Sequence, residues 1–234
     1  NGIDLDWEKA KYSINKGLWG TSVGGDETLT SHLALPESAY PSQLESETPE
    51  TVTLTFSKGE LTALNGVENA PEINIQLLDV IASKFAIGRD IHVGDTIVGI
   101  KGRVGFEAAA ALIIVKAHHL LEKHTLTKWQ LQHKDYLSNF YGMHLHEGQY
   151  LDPVMRDMEA FLSNSQHSVS GSVEVELKPY HFSINGIKSV HDLMNAKFGS
   201  YGEINNGWTA EEAKGFIKIN GNQNKIQQQV NSEI

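Results

Sequence analysis

Residues 106–124, FEAAAALIIVKAHHLLEKH, are apolar on nearly every side of a helical projection, so they predict a helix enclosed by other elements rather than one resting on a surface. Whatever this chain folds into must supply layers around that helix. The 234 residues suffice, because a chain of this size buries roughly 70–75% of its unfolded surface without a metal or disulfide staple. Composition agrees: 40% hydrophobic and 21% charged is the balance of an ordinary globular protein. The apolar run is broken at Lys116 and is far too short to cross a bilayer.

The layers are read from period and turn chemistry. TVTLTF, at 51–56, alternates Val52, Leu54 and Phe56 with threonine, and SKG then ELTALNG returns the chain as a hairpin. Pro71 starts a helix carrying Ile73, Leu77, Val80, Ile81 and Phe85, stopped by Gly88. DIHV and TIVGI form a second hairpin candidate with Gly94-Asp95 as its turn. Thr127 with Gln130 makes a capping box for a helix bearing Trp129, Tyr136 and Phe140. Asp152-Pro153 caps another, with Val154, Met158, Phe161 and Leu162 on one face. Strands return over 169–188, with Asn185-Gly186 as a hairpin signal, and a short amphipathic helix carrying Ile226 and Val230 closes the chain. Strands and helices in mixed order, joined by tight turns, predict an α+β fold with a largely antiparallel multi-stranded sheet and packed helices.

Charge and cysteine content exclude several classes of function. Nineteen basic against twenty-nine acidic residues give −10, which disfavours non-specific binding to nucleic acid or an anionic membrane. Without cysteine there is no thiol catalysis, disulfide or cysteine-ligated metal, and a cytoplasmic setting is expected. The chain starts at Asn1 without Met, directly before Ile3, Leu5 and Trp7, so a natural start upstream is expected.

Residues 11–29, KYSINKGLWGTSVGGDETL, have no regular period and carry four glycines, with Ser13 and Ser22 nine positions apart. They read as a loop, either substrate-holding or a solvated connection. A P-loop is excluded, since Gly20 is followed by Thr21 and Ser22 with no lysine. A dinucleotide fingerprint lacks its flanking strand and helix. His118 and His119 lie about 100° apart on a helix and cannot readily share an ion, while His144, His146 and Glu147 fall at a fraying helix end. No metal site is expected. Asp90, Asp95 and Glu107 are acidic residues near one hairpin, with turn and helix-start roles sufficient for Asp95 and Glu107. Lys101 and Arg103 could meet an anion or be plain surface charge.

Read together, these stretches resemble the argininosuccinate synthases. YSINKGLWGTSVGG is similar to that family's Y-S-x-D-x-N-L-W-x-x-S-x-E-G-G, and GRDIHVGDTIVGIKGR to its G-R-x-D-x-V-E-N-R-x-x-G-x-K-S-R. AALIIVKAH resembles the helix that follows, SVSGSVEVEL the P-V-T-G-x-V-x-x-x-L strand, and EAKGFIKI the D-A-x-G-F-I-x-I segment. The family's S-G-G-x-D-[ST] pyrophosphate loop is absent, and VGGDET is not it. The resemblance therefore implies a synthetase domain at 1–215 and a C-terminal oligomerisation helix at 216–234, without the nucleotide domain that would hold ATP and Mg2+. It implies ATP-dependent joining of citrulline to aspartate through a citrullyl-AMP intermediate, a homo-oligomer (a tetramer), and no product from this piece alone.

The resemblance places Ser13 and Ser22 on citrulline, and Gly94 and Phe106 in the same pocket. None is a proton-transfer catalyst, and their expected role is orientation. Gly94 stands where the family has Glu, Phe106 where it has Tyr, and Val23-Gly24-Gly25 follows Ser22 without the family's Glu. These departures raise N-acylcitrulline as an alternative substrate, with Asp95 taking over the lost charge as the other possibility. An alternative of another class is a non-catalytic assembly or regulatory module.

Overall fold

The computed structural model describes residues 11–195, Gly202 and 207–232. They fall into two compact units, one running to Asp192 and one starting at Leu193. The first unit is α+β, with two antiparallel sheets.

The larger sheet holds β3 (Glu50–Ser57), β4 (Glu60–Leu64), β5 (Val67–Glu68), β8 (Gly171–Lys178) and β9 (His181–Lys188), in the order β5-β4-β3-β8-β9. Period 2 carries it. Val52, Leu54 and Phe56 of β3, and Val173, Val175 and Leu177 of β8, are buried on one face. That face packs against α1 (Pro71–Ser83) and α2 (Ala109–Thr125). α2 is not enclosed on every side: Ala110, Ile113, Ala117 and Leu121 are buried, whereas Val115 is 60% exposed. α1 likewise buries Ile75, Leu78 and Ala82 rather than the expected Ile73, Leu77 and Val80, which are exposed.

The smaller sheet holds β1 (Ser13–Gly17), β2 (Gly20–Gly24), β6 (Arg89–Asp95) and β7 (Lys101–Glu107), in the order β1-β2-β7-β6. Three expectations are corrected, two of them in this sheet. The opening segment is no loop but a hairpin, turning at Leu18 and Trp19. Its alternation is written in Thr21 and Val23 against serine and glycine, so it carries too little apolar contrast to show as a period. Gly94-Asp95 is not a turn either. Both residues lie in β6 opposite Gly102 and Lys101, and the chain reverses over 96–100, where Thr96 N donates to the Ile100 carbonyl at 3.0 Å. In the larger sheet, Asn185-Gly186 lies within β9 beside a register shift opposite Glu174 and Val175, and the turn falls at Pro179-Tyr180.

The caps hold. Thr127 and Gln130 form the reciprocal box of α3 (Lys128–His146), and Asp152 accepts from Val154 N at the start of α4 (Pro153–Ser165). α4 buries Met155 and Met158, leaving Val154 and Phe161 more than a third exposed. The second unit contains α5 (Ala210–Asn220), capped by Thr209 accepting from Glu212 N, and α6 (Asn222–Ser232). Gly221 is in the right-handed helical region, and helical hydrogen bonds run from Gly221 N to Ile217 and from Lys225 N to Gly221.

Candidate substrate-binding face

The smaller sheet has two unlike faces. Its inner face is packed: Val23 is buried with Leu35 and Ala39, and Tyr12, Tyr40 and Ile91 lean on them. Polar groups on this side are consumed by structure. The Arg103 guanidinium donates to the carbonyls of Glu27, Thr30 and Leu33 at 2.9, 2.6 and 2.8 Å, fixing the chain that crosses the sheet. Arg89 donates to Glu107 at 3.3 Å, Glu37 at 2.6 Å and the Ser42 carbonyl, and Ser42 also donates to Glu107. Arg103 and Glu107 are thus structural, and Lys101 is paired with Asp95. Glu27 accepts from Tyr12 at 2.8 Å and Lys11 at 3.0 Å, and these bonds hold its carboxyl below the usual range.

Side chains alternate along a strand, so the other residues face the opposite way. Register aligns them in rows across the four strands. Asn15 pairs with Ser22, Ser22 with Phe106, and Phe106 with Asp90. One row over, Ser13 pairs with Gly24, and Val104 with His92; Gly94 and Gly102 follow. All four expected site residues, Ser13, Ser22, Gly94 and Phe106, therefore share one face of one sheet. Sequence reasoning missed Asn15 and His92 and did not rank Asp90. The signal was the register, legible only once the opening segment is recognised as a hairpin.

Glycine shapes this face. Gly20 sits at φ 142, and a Cβ there would lie 2.7 Å from Ala108 Cβ and 2.8 Å from the Glu107 carbonyl, so only glycine lets β2 pass the start of α2. A Cβ on Gly94 would lie 2.8 Å from His92 Nε2, so the tip of the imidazole is the nearest neighbour a side chain at 94 would meet. Chemically the face offers two hydroxyls, an amide, a carboxylate, an imidazole and a phenyl ring. Its four strands place no Lys or Arg there. That does not fit a triphosphate, which calls for cations or a glycine-rich amide cradle with its lysine.

A separate cavity of about 730 Å³ is lined by Trp19, Phe56, Leu61, Ile75, Ile114 and His118 among others. Beside it lies a fully buried carboxylate, Glu122, which accepts from Lys134 at 2.7 Å and Gln166 at 2.8 Å. His118 and His119 both approach the same Glu122 oxygen, at 3.7 and 3.4 Å. The histidines thus frame a carboxylate. His144 and His146 meet the carbonyls of Phe140 and Asp95 at 2.9 and 3.1 Å. Among the described residues no group of three or more His, Asp or Glu is placed to hold a metal ion, and no helix is long and apolar enough to cross a membrane.

Comparison with known proteins points the same way as the motifs. Residues 12–227 match the family model described as arginosuccinate synthase C-terminal domain. The chain is 36% identical over 219 residues to argininosuccinate synthase of Dictyoglomus turgidum, covering 93% of this chain and 55% of that protein. It is 33% identical to the Xanthomonas campestris enzyme, covering 98% and 58%, and 31% identical to that of Methanocaldococcus jannaschii, covering 94% and 56%. It spans little more than half the length of these relatives. The chain belongs to the argininosuccinate synthase family, over the part that the family model describes as its C-terminal domain.

Proposed function

We propose that this chain is the citrulline-holding portion of an argininosuccinate synthase, an ATP-dependent ligase that joins citrulline to aspartate through a citrullyl-AMP intermediate and releases AMP and pyrophosphate. The observation that carries this reading is the convergence of Ser13, Ser22, Phe106 and Gly94 on the one open polar face of a sheet whose other face is packed. Hydroxyls donate and accept, so they suit an amino-acid head group, and two of them fixed on adjacent rows orient it without moving a proton. Because that face does not fit a triphosphate, we assign ATP and Mg2+ to the part of the family's length that this chain does not span. The chain alone is then expected to be inactive.

The second unit is assigned to self-association, as a homo-oligomer. Phe216, Ile219, Ile226 and Val230 of α5 and α6 are 55–72% exposed, an apolar series that such a helix pair needs to cover. N-acylcitrulline is a second reading of the substrate, favoured by the missing carboxylate at Gly94.

The test is AMP release from a protein carrying this chain behind its nucleotide-binding half, supplied with ATP, Mg2+ and aspartate. Stoichiometric AMP and pyrophosphate that depend on a citrulline supports the reading. Release of ADP, or release indifferent to citrulline, overturns it.

A further inference from the structure

We propose that Asp90 is the residue that recognises the α-ammonium of the substrate, and so selects a free ureido amino acid over an N-acylated one. This rests on the citrulline reading above and sharpens it.

The lost carboxylate at Gly94 needs no relocation to Asp95. Asp95 belongs to the inner-face set of β6 and is paired with Lys101 at the far end of the hairpin. Glu107 is engaged by Arg89 and Ser42, and Glu27 by Tyr12 and Lys11. Asp90 differs from all three. It is exposed, it lies on the outer face, and among the described residues its carboxylate accepts from the next residue's N–H, Ile91, at 2.7 Å. Among the described residues no cation pairs with it.

Position supports the role. Asp90 stands in the row Asn15–Ser22–Phe106–Asp90, two strand spacings, or ~10 Å, from Ser22. A carboxylate held by the serine hydroxyls and an ammonium held by Asp90, each through a charge-assisted bond of roughly 2.8 Å, fill that interval with an amino-acid head group. Phe106 lies between them in the row. The alternative substrate fits poorly. An acylated citrulline has no cation to offer and carries a net negative charge onto four strands whose outer face bears a carboxylate and no Lys or Arg.

The experiment uses the AMP-release assay on the same full-length protein, with citrulline, N-acetylcitrulline and 5-ureidopentanoic acid, which is citrulline without its amine. Asp90→Asn is expected to raise the KM for citrulline about ten- to a hundredfold. Its kcat and its competitive inhibition by 5-ureidopentanoic acid should change little, and Asp95→Asn should behave as the parent. Matching thermal melts exclude misfolding of an exposed isosteric variant. A parental KM in Asp90→Asn, with citrulline still turned over, sinks the role of Asp90 and leaves the citrulline reading standing. Preference of the parent for N-acetylcitrulline also sinks it. If the parent turns over neither ureido acid, the citrulline reading fails and this inference falls with it.

Discussion

Glu122 shows what a single residue can impose on this fold. It is fully buried at the edge of the core, and its charge is tolerable there only because Lys134 and Gln166 donate to it. Burial works against ionisation, yet the Lys134 ammonium and the neighbouring donors win and hold the carboxyl below its ordinary value of 4.5. Lys134→Met should therefore cost about 3 kcal/mol, read as a fall in urea midpoint at unchanged m, because it strands a buried charge. Replacing both partners, as Glu122→Leu with Lys134→Met, should restore much of that loss. Burial likewise pushes the His118 imidazole below its ordinary 6.5. Both groups have folded pKa values under their unfolded ones, so their contributions are present above the unfolded value and lost on acidification. Stability should then decline in two stages, the first starting below pH 6.5 from His118 and the second below 4.5 from Glu122. In His118→Gln the upper stage should weaken while the lower remains, which urea titrations from pH 7 to 3.5 can resolve.

At the scale of elements, legibility followed apolar contrast. The hairpin β3–β4 and the strand β8 were readable because Val52, Leu54, Phe56, Val173, Val175 and Leu177 mark one face by hydrophobicity. The hairpin β1–β2 was not, because its outer face is serine, asparagine and glycine and its inner face rests on little more than Thr21 and Val23. Turn dipeptides misled for a related reason. Gly94-Asp95 and Asn185-Gly186 are compatible with a reversal, but pairing with β7 and β8 outweighs local preference and keeps both within strands. Capping signals at Thr127 and Asp152 survived because they satisfy N–H groups of their own helix and need no distant partner. Family motifs name Ser13, Ser22, Gly94 and Phe106 as candidates, but their common face was not legible: Asn15, Asp90 and His92 join them on it only through register. Arg103 is the device that keeps this sheet's packed side closed. Its planar fork serves three carbonyls of residues 27–33, which an ammonium cannot match. Arg103→Lys should destabilise by about 1–3 kcal/mol. Amide exchange should show the loss concentrated at Thr21 and Val23, with the larger sheet still protected.

At the scale of the whole molecule, the two units differ in how they satisfy their apolar residues. The first has a continuous core running through the larger sheet, α1 and α2. The second buries none of its described residues, although Phe216, Ile217, Ile219, Ile226 and Val230 are all apolar. Isolated helices of this length are marginal in water, so α5 and α6 persist only if packing supports them. The proposed homo-oligomer supplies that packing, and it makes helicity of the tail depend on association. Phe216→Glu combined with Ile226→Glu places two charges in the series that association would cover. Light scattering behind size exclusion should then show the parent well above monomer mass and the variant shifted to monomer. Far-ultraviolet circular dichroism should show the variant losing helix equivalent to the tail, while the urea transition of the first unit stays where it was. A parent that is monomeric at every concentration, with the tail still helical, would remove self-association as the purpose of this unit. A variant that keeps the parent's mass would place the contact elsewhere on the molecule, with the exposed Trp129, Tyr136, Phe140 and Met143 of α3 the next surface to substitute.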